Sequence, residues 1–352
     1  MLIRMRAALL LALLPCLCAQ RVHAEDVRLP SPERIDTAIE RGVAWLLEEA
    51  KPAGNHGGVG ETALVAFTLH HCGLRESQEG RQAKALRKTM RWLERHGHAR
   101  KARDEPKAQT YDLALQLMLL RVRGRAEDRE QMERLTRMLC TRQARNGQWW
   151  YDGLGAPDID VGDNSNTQFA VLALGHAQAA GLTVPRETWE RTRGWWTASP
   201  GTKGGFGYAS GGSAKSAATG SMTAAGIACL ALCDAALSEP APDAGLARSQ
   251  AVRRKATAFL ADVFSVTRNH GPTVARKKQR QRNAGRGWLH YYLWSVERAM
   301  VLADQEKLGA RDWYAEGAAR LLATQQKDGS WRQEKPLYAT CFALLFLTRA
   351  AD

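Results

Sequence analysis

One segment of the chain occurs twice with the same internal spacing. Residues 139–149 and residues 321–331 both read Leu-x-x-x-Gln-x-x-Asn/Asp-Gly-x-Trp. In each copy a helical stretch runs into a tight turn, and a second apolar helical stretch follows, at 167–174 and at 340–347. Because self-similarity over such a distance reflects a repeated structural unit, the chain is predicted to be built from helical hairpins.

Hydrophobic periodicity predicts six of these hairpins, each with an outer helix followed by an inner one. The outer helices are predicted to begin near residues 35, 81, 130, 187, 249 and 312, and the inner ones near 62, 110, 167, 223, 288 and 340. The inner stretches are apolar nearly all round, as expected of helices buried on both sides, whereas the outer ones are amphipathic. We therefore expect an all-α fold in which about twelve helices form a closed ring.

The loops that join outer helices to their inner partners include three long, glycine-rich ones, at 54–60, 146–165 and 200–220. All of them fall on one rim of the ring, and long loops on a rigid scaffold commonly carry function. Five of the six inner helices open with threonine, whose hydroxyl we expect to cap the first turn. A functional site is predicted on this rim.

Residues 1–24 have the pattern of an export signal peptide. Arg4 and Arg6 precede an apolar run at 7–14, and the small residue Ala24 stands before a plausible cleavage point. The apolar run is too short to span a bilayer, and no later stretch holds about 20 uninterrupted apolar residues, so no transmembrane segment is predicted. We expect a secreted or periplasmic protein in which residues 25–352 form a single domain.

The full chain carries a formal net charge of +14, and much of the excess lies in the basic segment 268–286. Such a segment is usually a solvated loop, and the alternative is contact with an anionic surface such as a polysaccharide or a lipid headgroup. No aromatic residue is interleaved with these cations. Nucleic-acid recognition is therefore not expected.

The repeated turn resembles the QW repeat of squalene and oxidosqualene cyclases. The inner helices, rich in small residues, resemble the α6/α6 toroid that those enzymes share with the β-subunits of protein prenyltransferases. The similarity covers roughly residues 33–350, with degenerate turns at 54–60 and 200–206. The C-terminal part is similar to secreted bacterial prenyltransferase/squalene-oxidase-repeat proteins. The resemblance implies an α6/α6 toroid of six outer–inner hairpins.

The reactive residues of these relatives are absent from the matching positions of the sequence. In the segment 163–167, which matches the cyclase motif that supplies the acid, Ser165 stands at the acid's position and Asn166 beside it, and neither can protonate an alkene. Ala339 stands where prenyltransferases have a zinc-binding histidine, and Val59 where thioester proteins of the same fold have a thiol. The resemblance therefore implies the scaffold and none of these three chemistries.

Carboxylates, aromatic rings and amides on the rim remain as candidates for a site. The candidate catalytic residues are Asp112, Asp160 and Asp163. The candidate ligand-binding residues are Tyr111, Trp149, Trp150, Asn164, Asn166, Tyr208, His290, Tyr291 and Tyr338. The acidic loop 158–166 offers several oxygen ligands, so calcium is weighed there against an ordinary turn whose side chains cap backbone amides. Otherwise no metal and no cofactor is predicted.

Two functions stay open on the sequence. We favour a binding or scaffold toroid for an apolar small molecule, a glycan or a protein at the rim, because the known catalytic positions hold other residues. The alternative is an enzyme, isoprenoid-cyclase-like or active on polysaccharide, that uses a reorganised carboxylate site. Convergence of Asp112, Asp160 and Asp163 within about 5–10 Å in a deep pocket would favour catalysis.

Overall fold

The computed structural model describes residues 28–98, 108–152, 162–201, 203–209, 217–238, 244–271 and 287–349. Within these ranges the chain forms twelve α-helices and one short 3₁₀ turn, and no β-strand. The outer helices are α1 (Pro32–Glu48), α3 (Arg81–His96), α5 (Arg129–Thr141), α7 (Arg186–Ala198), α9 (Ala244–Val263) and α11 (Trp313–Thr324). The inner helices are α2 (Val59–His71), α4 (Thr110–Arg123), α6 (Asn164–Ala179), α8 (Gly220–Ala236), α10 (Leu289–Leu302) and α12 (Pro336–Leu347). Each predicted start lies close to the observed one, and the all-α prediction is confirmed.

The even-numbered helices form the inner ring. Helix α2 contacts α4, α4 contacts α6, and the series continues through α8 and α10 to α12, which contacts α2 again. The odd-numbered helices pack on the outside, for example α3 against α2, α5 against both α4 and α6, and α11 against both α10 and α12. This closed arrangement confirms the predicted α6/α6 toroid.

The first copy of the repeated turn, residues 143–149, fastens one hairpin to the next outer helix. The Gln143 side-chain amide donates to the carbonyl oxygen of Thr188 (3.0 Å) and to the hydroxyl of Thr192 (2.9 Å), both on α7. Trp149 is fully buried, and its indole nitrogen donates to the carbonyl oxygen of Leu139, 2.7 Å away. We call residues 143–149 the first clamp.

The second copy, residues 325–331, makes the same bonds at the point where the ring closes. The Gln325 amide donates to the carbonyl oxygen of Ala38 on α1 (2.8 Å), and the Trp331 indole donates to that of Leu321 (2.9 Å). The guanidinium of Arg41, also on α1, donates to the carbonyl oxygen of Gln326 at 2.7 Å. This second clamp therefore joins the last hairpin to the first helix.

Both clamps require glycine at the centre of the turn. Gly147 and Gly329 have φ angles of 92° and 93°, in the left-handed region that side chains disfavour. A Cβ on Gly147 would lie 2.2 Å from the carbonyl oxygen of Arg191, and one on Gly329 would lie 2.4 Å from that of Arg41. The neighbouring outer helix thus lies directly against each glycine.

The threonines near the starts of the inner helices have a different role from the predicted one. Thr167 lies beyond the cap residue of α6: its hydroxyl accepts the backbone N–H of Trp149 at 3.1 Å and donates to the carbonyl oxygen of Asp163 at 2.9 Å. Thr340 accepts the N–H of Trp331 in the same way. The capping interpretation is wrong for these residues, which tie each turn to its inner helix. The same bond recurs at the degenerate turns, from His56 to Thr62 and from Phe206 to Thr223.

Two predicted segments lie outside the described residues. They are the export signal, residues 1–24, and all but the first few residues of the basic segment 268–286. Among the helices that are described, none combines the length and the apolar character that crossing a membrane requires.

Candidate functional site

A cavity of about 560 Å³ opens on one rim of the toroid. It lies at the N-terminal ends of the inner helices, on the rim that carries the three long loops at 54–60, 146–165 and 200–220. Its described lining is Gly58, Val59, Gly60, Glu61, Leu64, Gln109, Tyr111, Asp112, Leu115, Tyr151, Ser165, Phe169, Tyr208, Trp288, Tyr291, Tyr338 and Phe342. We call this space the rim cavity.

Aromatic side chains close the bottom of the rim cavity. Phe169 lies 5.4 Å from Trp294 between ring centroids, and Phe342 lies 5.1 Å from Trp294 and 5.5 Å from Tyr291. All four rings are buried. Offset and tilted rings at such distances pack favourably and exclude water. We call these four residues the aromatic floor.

Glu61 lies in the wall of the cavity, where its carboxylate accepts hydrogen bonds from two uncharged donors. One carboxylate oxygen accepts the Tyr338 hydroxyl at 2.7 Å, and the other accepts the backbone N–H of Gly58 at 2.9 Å. Burial raises the pKa of Tyr338, and the hydrogen-bonded carboxylate of Glu61 raises it further. The phenol therefore stays protonated and remains a donor to Glu61.

Asp112 reaches the same part of the wall from α4. One carboxylate oxygen lies 3.4 Å from Nε2 of His98. The other lies against Gly60, where a Cβ would be only 2.2 Å away from it. Since Gly60 precedes Glu61 in the chain, the missing side chain at Gly60 lets two carboxylates approach one part of the cavity. Such a pair can bind a cation or act in acid–base chemistry.

A short chain of hydroxyls connects the cavity to Asp163. The Tyr111 hydroxyl lies 2.7 Å from Oγ of Ser165, and Ser165 in turn donates to the Asp163 carboxylate. Because Ser165 has a single proton to give, Tyr111 donates to Ser165. Asp163 also accepts the backbone N–H groups of Ser165 (2.9 Å) and Asn166 (3.1 Å), so it caps α6.

The structure brings five of the predicted site residues together in the rim cavity: Tyr111, Asp112, Tyr208, Tyr291 and Tyr338. Asp163 lies behind Ser165 and is not part of the described lining. Asp160 lies outside the described residues. The expected convergence of Asp112, Asp160 and Asp163 therefore stays a prediction. Among the described lining residues, Asp112 shares the cavity with Glu61.

The other predicted ligand-binding residues lie elsewhere and correct the sequence interpretation. Trp149 belongs to the first clamp. The Asn164 side chain is buried and bonded to the carbonyl oxygen of Gly207 (2.8 Å) and to the Trp195 indole (2.8 Å). His290 is buried, and its Nδ1 lies 3.0 Å from the Glu334 carboxylate. These contacts hold loops to helices. Residue type and position on the rim alone do not predict such contacts.

Two further candidates also lie outside the described lining. The carbonyl oxygen of Trp150 accepts the Thr110 hydroxyl at 2.5 Å, which fixes the start of α4. Asn166 is fully buried, and its amide donates to Asp163 at 3.2 Å. The Trp150 ring lies 5.4 Å from that of Tyr151, so Trp150 contacts a lining residue without being one.

Sequence reasoning missed Glu61 and Trp288. Glu61 follows Gly58 at the spacing of a capping box, a pattern that predicts a carboxylate at a helix start on the rim. Trp288 has a left-handed backbone (φ 59°), and its side chain is 46% exposed at the cavity mouth, with its ring 6.1 Å from that of Tyr338. No sequence pattern predicts an exposed indole on a left-handed backbone.

The calcium hypothesis remains a prediction. Within the described ranges, no group of three or more histidine, cysteine, aspartate or glutamate side chains is arranged to hold a metal ion. Most of the acidic part of the loop, including Asp158 and Asp160, lies outside these ranges. Asp163 and Asn164 make the structural hydrogen bonds described above.

The sequence matches no protein-family description and no curated protein. The fold, in contrast, matches solved structures. The type II terpene cyclase MstE from Scytonema has a TM-score of 0.57 at 14% identity, over 90% of this chain and 99% of that one. The GH76 α-mannanase BT2949 from Bacteroides thetaiotaomicron has a TM-score of 0.59 at 10% identity, over 90% and 95%.

Structures of two such neighbours hold ligands. MstE was solved with geranylgeranyl dihydroxybenzoate, with a TM-score of 0.57 at 14% identity over 90% of this chain and 97% of that one. An inactive variant of a Salegentibacter α-1,6-mannanase was solved with α-1,6-mannotriose, with a TM-score of 0.59 at 10% identity over 90% and 98%. At such identities the likeness shows the fold alone. The chain is an α/α toroid of the type shared by type II terpene cyclases and GH76 mannanases.

Proposed function

We propose that the chain binds one small organic molecule in the rim cavity. An apolar part of the ligand lies on the aromatic floor, and its polar end lies between Glu61 and Asp112. The observation that carries this proposal is the amphipathic lining: a floor of buried rings beneath a wall of tyrosine hydroxyls and carboxylates.

The size and composition of the rim cavity support this proposal. Ligand pockets commonly measure about 300–1,000 Å³ and combine apolar and aromatic walls with a few polar groups that fix orientation. The rim cavity, at about 560 Å³, falls within that range. A neighbour of the same fold was solved with a geranylgeranyl compound and another with a mannotriose, so the scaffold is compatible with both ligand classes.

The test compares two substitutions of leucine by tryptophan. Leu115 lines the rim cavity, whereas Leu322 lies half-buried on the outer helix α11 and is not among the described lining residues. Farnesol and α-1,6-mannotriose serve as apolar and glycan probes, and binding is measured by native mass spectrometry and tryptophan fluorescence. We expect Leu115→Trp to weaken binding of the recognised probe about tenfold or more, because it fills the space. Leu322→Trp is expected to bind as the parent does.

Equal binding by the two variants would place the ligand outside the rim cavity and contradict the proposal. Binding of neither probe by the parent would also count against it. Circular dichroism and a urea titration establish that both variants fold, so a loss of binding reports on the cavity.

A second function, glycoside hydrolysis, has its own support in the pair Glu61 and Asp112. Glycosidases of most families use two carboxylates on either side of the scissile bond, one as acid and one as base or nucleophile. The contact of Asp112 with Gly60, next to Glu61, is compatible with such a pair. Hydrolysis of 4-nitrophenyl α-mannoside would then fall at least about 100-fold in Glu61→Gln and in Asp112→Asn. The exposed variant Glu130→Gln should keep the parent's rate, and a parent without turnover would leave binding as the function.

A further inference from the structure

We propose that the head group received by the rim cavity is a cation, either an organic amine or a quaternary ammonium. This inference rests on the proposed binding function and adds the charge of the ligand to it. It is carried by the formal charges of the lining and by the placement of aromatic rings beside them.

The charged groups of the described lining are all acidic. They are Glu61 and Asp112, and no lysine, arginine or histidine lines the cavity within the described ranges. The imidazole of His98, which is not among the lining residues, lies 3.4 Å from Asp112. Glu61 is held by two uncharged donors, Tyr338 and the N–H of Gly58. In a chain of net charge +14, an acidic cavity of this kind is a local reversal of sign.

Aromatic faces surround the two carboxylates. Trp288 and Tyr338 lie at the mouth, and Tyr111 and Tyr151, whose rings are 5.9 Å apart, lie on the side of Asp112. The ammonium of Lys335 already lies 5.4 Å from the Tyr338 ring centroid, so the rings that remain for a ligand are those of Trp288, Tyr111 and Tyr151. Aromatic faces attract organic cations, most strongly where water is excluded. A quaternary ammonium has no hydrogen-bond donor to leave unsatisfied against such rings, and the carboxylates supply the opposite charge.

The tyrosine hydroxyls of the cavity have raised pKa values. Burial is the largest cause that raises the pKa of Tyr111, Tyr208 and Tyr291, and the negative charge of Asp163 raises each of these pKa values further. For Tyr338, burial is followed by the effect of Glu61. The hydroxyls of these four tyrosines therefore stay protonated beside the carboxylates.

The dipoles of the inner helices favour an anion in the cavity, and carboxylate side chains offset this effect at two of these helices. Inner helices that begin at the cavity present their N-termini to it, and a helix N-terminus attracts anions. Asp163 already accepts the first N–H groups of α6, and Glu61 accepts the N–H of Gly58 before α2. At α6 and α2 the protein's own carboxylates therefore occupy the place that an anionic ligand would take, whereas the N-caps of α4 and α12 make no side-chain capping bond.

The experiment uses three probes that share an eight-carbon chain: octyltrimethylammonium, 1-octanol and octanoate. Affinities are measured by isothermal titration calorimetry with the parent and with the double variant Glu61→Gln/Asp112→Asn. A matched control, Glu127→Gln/Glu130→Gln, removes the same charge from exposed sites at and near the start of the outer helix α5. Glutamine at position 61 keeps one acceptor oxygen, which serves either Tyr338 or the N–H of Gly58, so circular dichroism and a urea titration must show that the variant folds.

We expect the parent to bind the ammonium at least about tenfold more tightly than octanol and to bind octanoate most weakly. The cavity variant should lose about tenfold in affinity for the ammonium and keep its affinity for octanol within about twofold. The control variant should resemble the parent.

Equal affinity for octanol and the ammonium would overturn the inference and leave the binding function intact, as would tighter binding of octanoate. Failure of all three probes to bind would overturn the binding function itself, and the inference with it. An ammonium affinity that falls equally in the control variant would attribute the preference to the overall charge of the surface, and this too would contradict the inference.

Discussion

The two clamp glycines allow a quantitative test of how the ring is held together. Substitution of Gly147 by alanine imposes a left-handed backbone on a residue with a side chain, which costs about 1–2 kcal/mol. The new Cβ would also lie 2.2 Å from the carbonyl oxygen of Arg191, so α7 must move. Forced overpacking of this kind typically adds about 1–3 kcal/mol. We expect Gly147→Ala to lower the free energy of unfolding by about 2–5 kcal/mol.

The matched control is Gly181→Ala. Gly181 has a similar φ of 72°, but no atom lies within 4 Å of the position that its Cβ would take. This variant carries the backbone strain without the collision, and alanine also restricts the unfolded chain, so a loss of only about 1 kcal/mol is expected. Urea titrations followed by circular dichroism and tryptophan fluorescence give both values. Equal losses in the two variants would refute the close approach of α7 to the first clamp.

Three further changes test other parts of the molecule. Trp149→Phe should lower the free energy of unfolding by about 1–2 kcal/mol in a urea titration, because it removes the indole bond to Leu139; an unchanged midpoint would contradict the clamp. Burial lowers the pKa of His56 and of His70 from 6.5 to about 4, so the unfolded chain binds more protons between these pH values. The free energy of unfolding should therefore fall by roughly 2 kcal/mol per histidine from pH 7 to pH 5. His56→Gln should lose its share of that fall in parallel titrations, and an unaltered slope would contradict burial of the neutral ring. Trp288→Asn should weaken ammonium binding, because it removes a ring from the cavity mouth; calorimetry measures the affinity, and an unchanged value would contradict a role for this ring.

The fold was predictable because its determinants are periodic and repeated. Apolar stretches without a polar face indicate helices enclosed on both sides, and the two copies of the clamp indicate hairpins stacked in series. The function of the threonines was not predictable in the same way. A hydroxyl near a helix start fits a cap from sequence alone, whereas the bond from Trp149 to Thr167 depends on how the turn folds back.

The candidate site was predictable only in part. Tyrosines and Asp112 at the first turns of inner helices were identified from their position, because helix starts on one rim must converge. Asn164 and His290 share that position, yet they bond to Gly207 and Glu334. Whether a polar side chain faces the cavity or the loop behind it depends on its rotation about the helix axis and on loop conformation. Residue spacing reveals the rotation only where a helix has a distinct polar face, which these inner helices lack, and it does not reveal the loop conformation.

The bond from Arg41 to Gln326 spans 285 positions of the sequence. Contacts between residues so distant along the chain form late, because a large loss of chain entropy precedes them. During synthesis, α1 emerges before the other described helices, and its face that packs against α11 and α12 stays uncovered until the final hairpin exists. Ring closure is thus the natural last step of folding, and the period before it is when the chain is most exposed to aggregation and most in need of a chaperone.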